Sequence, residues 1–162
     1  MASWLNLYNA LVIQEVLKNY PVNSILKIKD FFGAKRLKVG EKDYSILDIE
    51  EEIFRQDLKD PRAIFARVNG CSSGPRLLKE PFDAAHIDEQ LEERTWKFLM
   101  DPDNLQYDPK RRMLMLSAVF SWYEKDFVDV AAFLSKYLNL LPERYQVAYK
   151  SYDFRLNDAK LH

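Results

Sequence analysis

The stretch Trp4-Leu5-Asn6-Leu7-Tyr8-Asn9-Ala10-Leu11-Val12-Ile13 is apolar almost all the way round a helix, yet it carries two asparagines. A helix of that kind must be buried. Each asparagine amide brings two donors and an acceptor, and burying them without partners costs about 1–3 kcal/mol. Asn6 and Asn9 lie three apart, so a helix puts them on one face. They either tie down a neighbouring loop or line a polar pocket. At least one is expected to bond the backbone of a distant loop, the segment from Asn69 to Pro75 being the candidate.

The rest of the chain supports a core to bury that helix in. At 162 residues, 48% hydrophobic and 14% aromatic, it has the material for one globular domain spanning 1–162. Twenty-four basic residues against 25 acidic ones give a net charge of −1, which argues against nucleic acid as a partner. One cysteine excludes an internal disulfide and any multi-cysteine zinc or iron–sulfur site, and with two histidines a metal site would have to rest on carboxylates; no metal and no cofactor is expected. No apolar run approaches the about 18 residues of a membrane span. The N-terminus lacks a signal-peptide pattern, so the reading is a soluble chain, cytoplasmic as written and exported if a signal has been removed.

Ser3 is placed to cap a first helix running to about Tyr20, where Pro21 stops it. A short helix through Ile25 to Phe32 follows, closed by Gly33, then a hairpin across Gly40-Glu41. Ser45-x-x-Asp48 resembles a capping box opening a helix with Ile46, Ile49, Ile53 and Phe54 inward. Ala63 to Val68 is the best strand candidate of the first half. A helix from about Asp88 to Met100, a second hairpin across 108–111, a helix capped by Ser117 and another from Val128 to Leu138 come next. Pro142 suits the first turn of a last helix, and Tyr152 to Phe154 a closing strand. Short strands among unequal helices predict an α+β fold, a single domain with several helices packed on a small mixed sheet with hairpins.

The loop Asn69-Gly70-Cys71-Ser72-Ser73-Gly74-Pro75 lies where ligand loops often do. Cys71 reads either as a nucleophile with His86 as its base, or as a small residue in a tight turn with Ser72 and Ser73 bonding the local backbone. The glycines do not form a phosphate loop. Arg62, after Asp60-Pro61, either clamps a carboxylate or phosphate or pairs with an internal acid such as Asp60 or Asp153. Glu89, Glu92 and Glu93, near Arg94 and Lys97, read as surface pairing.

In order, Trp4 to Leu11, Ser45 to Ile53, Asp60-Pro61-Arg62 with Phe65-Ala66, Asn69 to Leu77, Asp88 to Leu91 with Phe98-Leu99, Phe120 to Tyr123 with Asp126-Phe127, and Tyr152 to Asp158 resemble the family called domain of unknown function 547. The resemblance implies little about activity. Relatives are bacterial proteins, often exported, or C-terminal domains of plant proteins with a coiled coil, a context that implies interaction. Bacterial relatives usually carry a histidine where this chain has Ile64, and cysteines at the positions of Asn69 and Gly74, whereas here the one cysteine is displaced to Cys71. In those relatives further chain normally precedes the Trp4 motif, so an N-terminal segment is expected to be missing here.

The reading is a non-catalytic domain that binds a protein or small ligand through a polar cleft. Asn6, Asn9, Arg62, Asn69, Ser72, Ser73, Asp153 and Asn157 are its candidate binding residues. The alternatives are a cysteine-dependent hydrolase or transferase with a papain- or transglutaminase-like core, using Cys71 and His86, and a redox-sensing thiol. Because the first helix is apolar on two faces, Trp4, Leu7, Leu11 or their neighbours are also expected at a self-association surface, or where a missing segment or partner docks.

Overall fold

In the computed structural model, which describes residues 1–138 and 144–158, the apolar N-terminal stretch forms α1, Ala2–Lys18. The helix starts from Met1, so Ser3 lies within its first turn and caps nothing. Leu5, Tyr8, Leu11 and Val12 are buried. The second helix is shorter than its spacing predicts, a 3₁₀ turn over Ile25–Lys27 capped by Ser24. Ile28 turns extended, so that Ile25, Ile28 and Phe31 reach the core from successive turns instead of one helix face.

Strands β1, Leu37–Val39, and β2, Lys42–Tyr44, form the expected hairpin, with Gly40 at φ +61°. The capping box is present: Ser45 Oγ accepts the Asp48 N–H, and Asp48 accepts the Ser45 N–H in return. The helix it opens begins as α2, Ile46–Asp48, and continues as a π-helix over Ile49–Leu58. Lys59, at φ +50°, closes it by donating to Phe54 O, five residues back. Ile46, Ile49, Ile53 and Phe54 all point inward.

The strand expected over Ala63 to Val68 is instead a single helical turn, α3, Ala63–Ala66. Pro61 is pre-set for a helix start, Asp60 accepts the Arg62 N–H at 2.9 Å, and the turn closes through Ile64 N–H to Pro61 O at 3.1 Å. All four α3 residues are buried, and a continuous apolar run cannot by itself distinguish a buried strand from a buried helical turn.

Helix α4, Ile87–Met100, follows, then the hairpin of β3, Leu105–Asp108, and β4, Met113–Leu116. Helix α5 spans Val119–Trp122, with Ser117 Oγ accepting the Val119 N–H. Helix α6, Val130–Ser135, is capped by Asp129, which leaves Val128 outside it at φ +60°. The sheet is completed by β5, Gln146–Tyr149, parallel to β4, giving the mixed order β3-β4-β5. The closing strand therefore lies earlier than Tyr152 to Phe154. Those two aromatic rings pack on Trp122 with centroids 4.6 and 5.9 Å away, and their segment pairs with loops instead. Pro142, expected to open a last helix, lies outside the described residues, and the chain that would have continued that helix is the strand β5.

Two apolar clusters form the core. One gathers Leu5, Tyr8, Leu11 and Val12 of α1 with Ile46, Ile49 and Phe54. The other gathers Phe98 and Leu99 of α4 with Leu114, Leu116, Phe120, Phe127 and Phe133. Helix α3 belongs to both: Ala63 and Ala66 face the first, Ile64 and Phe65 the second.

Candidate functional site

The two asparagines act as backbone clamps. Asn9, 7% exposed, donates from Nδ2 to Ala66 O at 3.1 Å and accepts the Val68 N–H at 2.9 Å. Asn6 does the same for one residue, donating to Phe82 O and accepting the Phe82 N–H, both at 2.8 Å. The segments they hold are the end of α3 and the stretch before α4, and neither belongs to the 69–75 loop.

That loop is fixed by its own residues. Asn69 accepts the Cys71 N–H at 3.1 Å, an Asx turn, and donates to the Tyr152 hydroxyl. Gly70 adopts φ +77°, and a Cβ there would meet Ile25 at 3.1 Å. A Cβ at Gly74 would lie 2.1 Å from Asn69 Oδ1. Asn69 and Gly74 are therefore neighbours, and the Asn69 amide fills the space between them. The C-terminal segment runs alongside: Ser72 N–H donates to Arg155 O and Asn157 N–H to Gly70 O, each at 2.9 Å, while Asp153 N–H donates to Ser73 Oγ at 3.0 Å. On its other side Ser24 Oγ donates to Phe154 O at 2.7 Å and Leu156 N–H to Asn23 O at 2.9 Å.

Between this pinned loop, α4 and the sheet lies a cleft of about 1060 Å³. Ser72, Ser73, Asp153 and Asn157 border it together, with Gly74, Gln106 and Met115. Asn6, Asn9, Arg62 and Asn69 do not. Arg62 is chelated by Asp60, with Nη2 2.7 Å away, and further paired with Asp88 and Glu92 at 2.9 and 2.8 Å, so it has acids of its own and is held at the start of α4. Those carboxylates hold its pKa well above the ordinary value. Asp153, the other acid considered for Arg62, pairs with Arg155 at 2.6 Å.

Cys71 and His86 are not brought into a pair. Cys71 is buried in a β-bridge with Leu156, and burial, followed by the charge of Asp153, pushes its thiol up to about 12. His86 sits exposed at the start of α4 with Nδ1 2.6 Å from Asp83, whose carboxylate raises its pKa. Among the described residues no group of three or more His, Cys, Asp or Glu could hold a metal, and no helix is long and apolar enough to cross a membrane.

Two buried arginines escape a reading from sequence. Arg67, 4% exposed, stacks its guanidinium 5.0 Å from the Phe54 ring and 5.2 Å from Tyr123, with Nη1 3.9 Å from buried Glu50. Glu50 also accepts from the Tyr8 and Tyr123 hydroxyls. Arg94, expected on the surface, is instead 8% exposed and borders the cleft. The signal was its spacing: Leu91, Arg94, Thr95 and Phe98 share one helix face, and all four are buried.

None of the three residues named for a self-association surface is fully exposed. Trp4 packs edge-on against Tyr44 at 5.3 Å, Leu7 is half-buried and Leu11 is buried. The exposed apolar side chains of this region are Leu17, Tyr20 and Leu77, which edge a groove of about 380 Å³ running past Val12, Val16 and Pro75.

The family model described as "Protein of unknown function, DUF547" matches residues 1–99. The chain belongs to that family. The matched span holds α1, the capping box, α3, the 69–75 loop and α4, while the segments at 120–127 and 152–158 lie beyond it. No curated protein and no solved structure matches the chain.

Proposed function

We propose that this chain is a non-catalytic binding domain that takes a small ligand or a protein segment into the cleft beside the 72–76 loop. The observation that carries this reading is a polar cleft whose walls are pinned backbone to backbone, so that its shape exists before any ligand arrives. The hydrolase and redox-sensor readings both need an accessible, low-pKa thiol, and a thiol raised by burial supplies little nucleophile. Thermal shift against a panel of small ligands is the test. At least one ligand is expected to raise the Tm of the native chain and to lose that effect in Gln106→Trp, which fills the cleft from an exposed position. Alkylation of Cys71 near neutral pH should be far slower than that of a free thiol. Turnover of an ester, amide or thioester that is abolished by Cys71→Ser would promote the hydrolase instead.

One observation favours a second reading, self-association through α1: Leu17, Tyr20 and Leu77 are 66%, 44% and 54% exposed and edge one groove. Size exclusion with light scattering should show a dimer that Leu17→Glu with Leu77→Glu converts to a monomer. A native chain that is monomeric at high micromolar concentration rules this out.

A further inference from the structure

Arg94 presents an unusual imbalance. Its Nη2 donates to Arg76 O, which fixes its orientation, while its Nε is buried without a hydrogen-bond partner. It forms no ion pair among the described residues. Burial lowers its pKa from the ordinary value, as expected of a cation whose lost hydration is not replaced. A buried guanidinium is normally matched by a carboxylate, as Arg67 is by Glu50, and even the half-buried Arg62 has Asp60.

The cleft that Arg94 borders is cationic, although the chain as a whole carries −1. Arg76, Arg94, Lys97, Lys150 and Arg155 line it, against Asp101, Asp103 and Asp153: five positive groups to three negative. Arg155 chelates Asp153, and Lys97 is 2.5 Å from Glu93 on its own helix. Lys150 donates to Pro102 O, and neither it nor Arg76 makes an ion pair among the described residues. Three cations outside any ion pair thus line one concave surface, against two carboxylates, Asp101 and Asp103, that make no ion pair among the described residues either, which leaves the cleft with net positive charge. A planar fork held in place by a backbone carbonyl is suited to two-point recognition of an oxyanion.

We infer that the cleft is an oxyanion-binding site, in which Arg94, with Arg76 and Lys150 at the rim, holds the carboxylate or phosphate group of a small organic ligand. This deepens the binding reading above and rests on it. A bound oxyanion would supply the counter-charge that Arg94 lacks, in a site where water is partly excluded and a charge-assisted bond is worth more than at the surface.

Titration calorimetry of the full chain with inorganic phosphate, and separately with citrate, tests the site. The native chain is expected to bind at least one of them. Arg94→Lys keeps the charge but loses the fork, and should weaken that binding by about tenfold or more. Arg76→Met and Lys150→Met should each weaken it by about three- to tenfold, and they carry the test if circular dichroism shows Arg94→Lys to be unfolded. Preference for phosphate assigns a phosphoryl ligand, and preference for citrate a carboxylate. The proposal is overturned if the native chain binds neither below about 10 mM, or if all folded variants bind as the native chain does. Neutral ligands that shift the Tm in a Gln106→Trp-sensitive way, with no anion binding, would sink the oxyanion site and leave the binding domain standing.

Discussion

Replacing Asn9 by leucine is expected to destabilise the fold by about 2–5 kcal/mol, because it strands two buried backbone groups at once. Ala66 O loses its donor and Val68 N–H its acceptor, and a leucine of similar volume leaves no room for water to replace either. Asn6→Leu is the internal comparison. It strands the N–H and carbonyl of Phe82, but Asn6 itself is only half-buried, so the loss should be smaller, about 1–2 kcal/mol. Urea unfolding of the native chain and both variants measures the difference. If Asn9→Leu loses no more than about 0.5 kcal/mol, the clamp is not what holds α3 against α1.

The second large effect is expected at Glu50. Glu50→Ala removes the carboxylate within 4 Å of the Arg67 guanidinium, and removes the acceptor for the Tyr8 and Tyr123 hydroxyls. An uncompensated buried charge of this kind costs about 3–5 kcal/mol. Arg67 has little else close by, since its Nε and Nη1 lack hydrogen-bond partners and its guanidinium lies against the Tyr8, Phe54 and Tyr123 rings, with Asp126 acting on it only electrostatically. The double variant Glu50→Leu with Arg67→Met should recover most of that loss, because it removes both desolvated charges together. A double variant no more stable than Glu50→Ala would contradict this account. The same cluster makes stability depend on alkali. Burial first, then the charge of Glu50, raises the pKa of Tyr8 and Tyr123 above the ordinary 10. Both phenols stay neutral in the fold after they would ionise in the unfolded chain. Their contribution is complete below pH 10 and is lost as pH climbs through the raised values.

What could be read from the sequence were features in which local chemistry and final structure agree. The Ser45–Asp48 capping box, the two hairpin turns and α4 all carry signals within a few residues of the element they make. The failures have a common cause. Ala63 to Ala66 is apolar on every side because it is packed on every side, which erases the periodicity that separates helix from strand. Strand β5 is short and exposed at several positions, so its sequence never alternates clearly, and its partner β4 is distant in the chain. The lining of the candidate cleft was half legible. Ser72, Ser73, Asp153 and Asn157 do meet at one cleft, whereas Asn9 and Arg62 find partners elsewhere. Arg94 was missed because a charge beside three glutamates reads as surface pairing, although its position on the Leu91, Thr95 and Phe98 face gave the opposite signal.

Helix α3 gives the two cores a common fate. Its two alanines seat in the cluster built on α1, while Ile64 and Phe65, one residue away, seat in the cluster built on α4 and the sheet. A turn of four residues is too short to shear between them. Any swelling of one cluster must push the same backbone into the other, and the Asn9 clamp at its end transmits that displacement directly to α1. The chain therefore has a rivet where a larger protein would have an interface. A methylene added or removed at Ile64 or Phe65 is felt on the far side of the molecule as well as beside it. The cleft beside the 72–76 loop inherits this rigidity, because one of its walls, α4, packs directly on that turn.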